Sequence, residues 1–298
     1  MKNSCNSRKI DTAFIACGGY GTRFLPFTKI VPKELLPVSE KPLIHLLVDE
    51  CIEAGIKKIY VVYRSELTKR YFEQNEAYSL HLKKLKKKHL IKTINFKNKY
   101  SCVQFIKIND ELPYGNTQGL LTIKKFLQKA NKFLLCWGDD IVIGRQSSIK
   151  SILQKYENSD CDFVLNVQKM GFPDITNFGN IGIRKGTKNI MERLVQKPQS
   201  KKESISDLAL IGQMIFTKEI FLYIKKAKWT GEPDLGLVLN DLAKDFKIIV
   251  NKVGGKWITV GDPEQYLKGL ISYKIIHNRK YASELNNFIE SLKKVWKQ

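Results

Sequence analysis

Glycines and cations are concentrated in the segment Ala16–Pro37, ACGGYGTRFLPFTKIVPKELLP. Gly18, Gly19 and Gly21 follow directly on the apolar run Thr12–Cys17. A turn without Cβ atoms lets main-chain N–H groups come close to a bound phosphate or base. Arg23, Lys29 and Lys33 come next, spaced by Pro26, Pro32 and Pro37, which stiffen the backbone and fix where the cations point. A rigid turn of this kind suits a triphosphate, whose transfer requires neutralised charge more than covalent chemistry. Two familiar glycine loops do not match. GGYGTR has Thr-Arg where a dinucleotide fingerprint has its third glycine, and the Gly-Lys-Ser/Thr ending of a Walker loop is absent.

The elements that must hold this loop can be read around it. Thr12–Cys17 predicts a strand that runs into the glycines, and Lys58–Tyr63, KIYVVY, a second buried strand. Between them Lys41–Ala54 predicts a helix, with Pro42 in its first turn and Gly55 at its stop. Strand, glycine turn, helix and strand in that order indicate a parallel βαβ unit. Phe133–Trp137, Asp162–Val167, Leu208–Phe216 and Lys247–Val253 predict further short strands, Gly171–Gly186 a loop and hairpin, and the chain from about Glu264 a helical tail. The expected fold class is α/β, with a mixed, mainly parallel central sheet flanked by helices. In His81–Tyr100 eight lysines surround Leu82, Leu85, His89 and Leu90 at helical spacing, which predicts an amphipathic helix with a solvated lysine face.

At 298 residues, 43% apolar and 27% charged, the chain has the composition of a folded α/β protein and not of a disordered or fibrous one. Its formal charge of +22 rests mainly on lysine. Readers of nucleic acid lean on arginine and on interleaved aromatics. The lysine segment has no arginine and no aromatic before Phe96, so no nucleic-acid partner is expected. The charge fits a lysine-biased surface or an attraction for polyanionic substrates. Cys5, Cys17, Cys51, Cys102, Cys136 and Cys161 have no metal-binding spacing, and several sit in apolar runs, so free thiols are expected. MKNSCNSRK lacks an apolar signal core, and no apolar run approaches the ~20 residues that span a bilayer. A cytoplasmic protein without a membrane partner is expected.

The loop resembles the signature of sugar-1-phosphate nucleotidylyltransferases, most closely the bacterial glucose-1-phosphate uridylyltransferases. The resemblance runs from about Thr12 to Ile276, with landmarks in order: KPLIHLLVDECIEAGIKKIYVV, SLHLKKLKKK, GDDI at Gly138–Ile141, NFGNIGI at Asn177–Ile183 and QKP at Gln196–Pro198. DLALIGQMIF, GEPDL and GKWITVGDPEQYLKG complete it. It implies a single Rossmann-like (GT-A-like) nucleotidyltransferase domain over residues 10–276, with a lysine-rich helical insertion at about 77–100 and a tail over 277–298.

The resemblance also implies a reaction: a sugar 1-phosphate attacks the α-phosphorus of an NTP, most simply UTP with glucose 1-phosphate, with Mg²⁺ as charge clamp. It places Gly18, Gly19, Gly21, Asn109, Gly115 and Gly138 beside the nucleotide. Thr22 and Arg23 fall at the outer phosphates, Lys33 at the α-phosphate and Asp139 at the metal. Gly179, Gln196 and Lys197 fall on the sugar phosphate. Arg23 and Lys33 are the expected catalytic residues, and a homo-oligomer is expected by analogy. Four positions depart from the pattern. Thr259 stands at the second metal aspartate, Gln196 at a sugar-binding glutamate, Asn109 near a base-reading glutamine and Pro263 at a lysine. Asp262 and Asp140 are the candidates to supply the missing carboxylate. These departures keep open another sugar phosphate, phosphonate or base, or a weakened regulatory paralogue.

Overall fold

Thr12–Cys17 (β1) alternates Ala13 and Ile15 against Phe14, and all three are buried, because helices cover both faces of the strand. The computed structural model describes residues 8–96, 99–229 and 231–296, so Cys5, Lys97 and Asn98 lie outside the described residues. Two short strands, Pro37–Val38 (β2) and Lys41–Pro42 (β3), follow the glycine loop. Further strands are Lys58–Tyr63 (β4), Val103–Lys107 (β5) and Lys132–Trp137 (β6), then Asp140–Ile143 (β7), Phe163–Lys169 (β8) and Gly179–Ile183 (β9). Met191–Gln196 (β10), Leu208–Thr217 (β11), Ile248–Lys252 (β12) and Lys256–Thr259 (β13) complete the strands.

The mixed sheet is parallel through β6-β1-β4-β5, as the βαβ reading requires. β11 adds antiparallel to β6, carries β8 on its other edge and touches β9, while β12 runs parallel to β8. β9 and β10 form a hairpin of which only β9 lies within the stretch Gly171–Gly186 where one was expected. On one face Leu43–Glu53 (α1) and Ser148–Glu157 pack Ile44, Leu47, Ile149 and Ile152 onto Ile15 and Ile59. On the other, Leu120 and Leu127 pack beside Phe14 with Leu235, Val238 and Leu239 of Leu235–Asp245. β7 pairs with β13 in a separate ribbon, which the helix Pro263–His277 covers through Tyr266 and Leu270. A final helix spans Arg279–Trp296, and no helix of the described residues is long and apolar enough to cross a membrane.

Pro42 is the cap of α1 and not part of its first turn, because ψ of 156° leaves it extended as the end of β3. Gly55 takes φ of 90° just past the helix, as a stop glycine should. The lysine segment is not one helix. Glu76–Lys84 is helical, Lys86 adopts φ of 57°, and the short turns Lys88–Leu90 and Ile91–Ile94 follow. With Leu82 as the buried residue of the first piece, there is too little apolar face to carry a longer helix. The five described cysteines are free, and four of them are buried.

A polar knot fixes that segment to α1. His45 is buried, with one ring nitrogen 2.8 Å from the Tyr71 hydroxyl and the other 2.8 Å from Tyr100. Tyr100 donates to Asp49 at 2.8 Å, and Lys41 and Lys99 approach the same carboxylate at 2.9 and 2.7 Å. Burial opposes the charge on Asp49, but bonds from His45, Lys99, Lys41 and Tyr100 outweigh it and hold the carboxyl well below its usual range. Its stabilisation is therefore full at neutral pH and is lost as pH falls below the unfolded value near 3.8. Asp49→Asn should lower unfolding free energy by about 1–2 kcal/mol at pH 7, the lysines being too solvated to add more. Urea titrations should show the gap narrowing between pH 7 and about pH 3.

Candidate nucleotide and sugar-phosphate site

The glycine loop leaves the carboxyl end of β1, where open α/β sheets place ligands. Gly21 takes φ of 65°, and its carbonyl accepts the Thr28 hydroxyl at 2.8 Å and the Phe24 N–H at 2.9 Å. Three single turns, Thr22–Phe24, Phe27–Lys29 and Lys33–Leu35, follow between prolines. They bring Lys33 back over the loop: a Cβ on Gly19 would stand 3.2 Å from the Lys33 Nζ. That glycine leaves the space the ammonium occupies.

Asp139 comes from the end of β6, the strand parallel to β1, and its Oδ2 meets Lys33 Nζ at 2.5 Å. Burial pulls the lysine toward neutrality, but the Asp139 charge outweighs it, so Lys33 stays protonated above its ordinary range. Arg23 donates to the Gly261 carbonyl at 3.0 Å, which ties the loop to the end of β13. The three residues share one wall of an open cavity of about 620 Å³. Gly18, Gly19, Gly21, Thr22, Gly115, Gln196 and Lys197 also line it.

The remaining expected residues stand elsewhere. Lys29 does not line the cavity. Gly138 lies beneath β1, where a Cβ would fall 2.3 Å from Cys17 Sγ, so its lack of a side chain serves strand packing. Asn109 is turned away: its side chain accepts the Glu111 N–H at 2.9 Å and its carbonyl accepts from Gln118 at 3.0 Å. Gly179 lies behind the wall, under Gln196. The Thr259 hydroxyl accepts the Gly261 N–H at 3.1 Å and bonds to the buried Asp140 opposite it in the ribbon. Burial and the neighbouring Asp139 charge push the Asp140 carboxyl up to about 7, and it also accepts the Gly212 N–H at 3.1 Å. Asp262 caps the following helix. Neither carboxylate lines the cavity, so Asp139 stands there without the aspartate partner that the resemblance suggested.

Several wall residues were not foreseen. Tyr20 and Tyr114 face each other with centroids 5.5 Å apart, and the Arg64 guanidinium lies 4.5 Å from the Tyr20 ring. Arg64 donates to the Gly18 carbonyl and the Gln118 side chain at 2.8 and 2.9 Å and pairs with Asp110, so it locks the loop from below. Its position just past β4, at the carboxyl end of a parallel strand, was the signal available in the sequence. Lys197 holds φ of 43°, unusual for a side-chain-bearing residue, and it does so at the cavity wall.

A glycine turn, the cations Arg23, Lys33 and Lys197 and the acid Asp139 thus meet at one cavity, an arrangement suited to phosphates. Residues 12–274 match the nucleotidyl transferase family, and the chain belongs to it. It is 27% identical to a UTP–glucose-1-phosphate uridylyltransferase of Bacillus subtilis, over 96% of this chain and 98% of that one. A Streptococcus pyogenes protein named UTP–glucose-1-phosphate uridylyltransferase 2 is 28% identical, over 96% and 99%. A crystal structure of a UDP-glucose pyrophosphorylase with UDP-glucose superposes with a TM-score of 0.73 at 26% identity, covering 89% of this chain and 98% of that one.

Glu34 sits directly behind Lys33. It is buried, accepts the Thr68 hydroxyl at 2.7 Å, and has its second oxygen unpaired. Burial pushes its carboxyl up from 4.5 to about 7 despite that bond. The folded state therefore holds a proton that the unfolded chain has lost, and stability falls as pH rises through this interval. Glu34→Gln keeps the oxygen facing Thr68 and removes the proton. Relative to wild type it should gain up to about 3 kcal/mol between pH 5 and pH 8. Denaturant midpoints that move in parallel for the two proteins would refute the assignment.

Proposed function

We propose that this protein transfers a uridylyl group from UTP to glucose 1-phosphate, forming UDP-glucose and pyrophosphate. The observation that carries the reading is the Lys33–Asp139 pair facing the glycine turn, with Arg23 beside it on the same wall. Its support is membership of the nucleotidyl transferase family and the shared activity of the relatives.

The base and ribose lie against Gly18, Gly19 and Gly21, where main-chain groups can reach them, and Thr22 and Arg23 take the outer phosphates. Lys197, from the opposite wall, holds the sugar phosphate. An oxygen of that phosphate attacks the α-phosphorus in line, the bond to the β-phosphate oxygen breaks, and pyrophosphate leaves. Held this way, two polyanions react because they are positioned and neutralised rather than because a side chain attacks. Lys33 is protonated and stands where negative charge gathers on the α-phosphate.

Among the described residues no group of three or more His, Cys, Asp or Glu could hold a metal. Mg²⁺ bound through one carboxylate and the substrate's own phosphates needs no such group. Asp139 fits that role and would accept the metal as Lys33 moves onto the phosphate. Bound there, Mg²⁺ supplies charge neutralisation across the triphosphate.

Pyrophosphate release should be measured with UTP, CTP, dTTP, ATP and GTP against a panel of sugar 1-phosphates with Mg²⁺. UTP with glucose 1-phosphate is the expected best pair; turnover with a different pair alone would sink the assignment. Lys33→Ala and Asp139→Ala should each lose about 10²–10³-fold in kcat while remaining folded by circular dichroism. Thr259→Asp places a second carboxylate across Gly261 from Asp139 and should lower the Mg²⁺ concentration giving half-maximal rate. An unchanged Mg²⁺ dependence would remove Thr259 from the metal's surroundings.

A further inference from the structure

On the sugar-phosphate wall, Gln196 presents an amide where the relatives' pattern has a carboxylate. The amide is strictly placed. A Cβ on Gly179 would come 3.0 Å from its Oε1, and one on Gly236 would come 3.0 Å from its Nε2. Two residues without side chains thus leave the slot in which the amide lies, one on β9 and one in the first turn of Leu235–Asp245. The carboxylate of Asp234 decides which end points where, because only the NH2 end can donate to it: Nε2 lies toward the helix and Oε1 toward Gly179.

In that orientation Nε2 donates to both carboxylate oxygens of Asp234, at 2.9 and 3.1 Å. Asp234 Oδ1 also accepts from the Asn116 amide at 3.0 Å and from the Gly236 N–H at 2.9 Å, the latter as the cap of its helix. Asn116 in turn accepts the Leu235 N–H at 2.7 Å, so the carboxylate is braced from both strand and loop. Oδ1 takes three N–H donors and Oδ2 one, which leaves Oδ2 the greater capacity to accept another. Gln196, Asn116 and Asp234 all line the cavity.

We propose that Asp234 is the sugar-hydroxyl acceptor of this site, with Gln196 as its positioning residue. The resemblance implies a glutamate at position 196; here the amide stands there with an aspartate bonded to it, and the pair keeps one negative charge on this wall. The ligand class is a sugar ring with free hydroxyls near its phosphate. The charge is suited to it, since a carboxylate accepts hydroxyl protons more strongly than an amide does. The proposal rests on the uridylyltransferase reading.

Asp234→Asn tests it with the helix cap kept, because asparagine caps a helix as well as aspartate. Its NH2 replaces an oxygen that accepts from Gln196, so the melting temperature should fall, but by no more than a few degrees. Calorimetric affinity for UDP and the KM for UTP should also stay within about twofold. Affinity for UDP-glucose, and the KM for glucose 1-phosphate, should worsen about ten- to hundredfold, the worth of a hydrogen bond to a charged group. Gln196→Glu combined with Asp234→Asn returns the acid to the strand and the amide to the helix, and should recover most of that loss. Unchanged sugar affinity in Asp234→Asn, or an equal loss for UTP and sugar phosphate, would overturn the proposal. So would a wild-type protein that binds UDP and UDP-glucose alike. A protein that binds no uridine nucleotide would overturn instead the functional reading beneath it.

Discussion

The ion pair between Lys33 and Asp139 is the contact on which the nucleotide half of the cavity depends. It joins the ends of two neighbouring parallel strands, since Lys33 belongs to the loop that leaves β1 and Asp139 follows β6. Each partner is poorly solvated, with side chains 20% and 17% exposed, and each would be costly to bury alone. The pair therefore pulls the loop against the sheet, and Gly19 leaves the lysine room, since a Cβ there would stand 3.2 Å from its Nζ. A phosphate that reaches this point meets a cation already paid for by the fold. The ammonium and the carboxylate thus stand side by side at the cavity wall, one charge of each sign.

The layers beneath are arranged to keep that contact fixed. Gly138 lets Trp137 and Asp139 pass directly over Cys17, and the Gly138 N–H bonds to the Ala16 carbonyl at 2.9 Å, extending the β1–β6 ladder to the site. Arg64 ties the other side of the loop to Gln118 and thereby to the turn that begins at Asn109. These are hydrogen bonds between segments far apart in the chain, and they hold a glycine-rich turn that has little rigidity of its own. Arg23 closes the third side on Gly261. Loop and ribbon consequently behave as one wall.

Legibility in the sequence followed the range of these interactions. β1, β4, β6, β8, β11 and β12 were readable because each is a short apolar run buried on both faces, a property of consecutive residues. The glycine loop was readable for the same reason: its chemistry is contained in one stretch. His81–Tyr100 misled, since apolar spacing alone does not show that few of those residues find a core to pack against. Asn109 misled because its amide closes a turn on Glu111, a local use that competes with reaching a ligand. Arg64, Tyr20 and Tyr114 carried no pattern of their own, and only the sheet brings them to one place.

The sugar wall shows why a departure at one position is not by itself a loss of function. Read alone, Gln196 looks like a missing charge, and Asp234 looks like an ordinary helix cap. Their hydrogen bonds, at 2.9 and 3.1 Å, make them a single unit whose net charge is that of one carboxylate. Thr259 is a different case: its hydroxyl is bonded to Gly261 and Asp140, and burial pushes that aspartate's pKa up to about 7. Both groups are spent on contacts within the ribbon, and neither lines the cavity. The two altered positions therefore differ: the carboxylate bonded to Gln196, Asp234, lines the cavity, whereas the carboxylate bonded to Thr259, Asp140, does not.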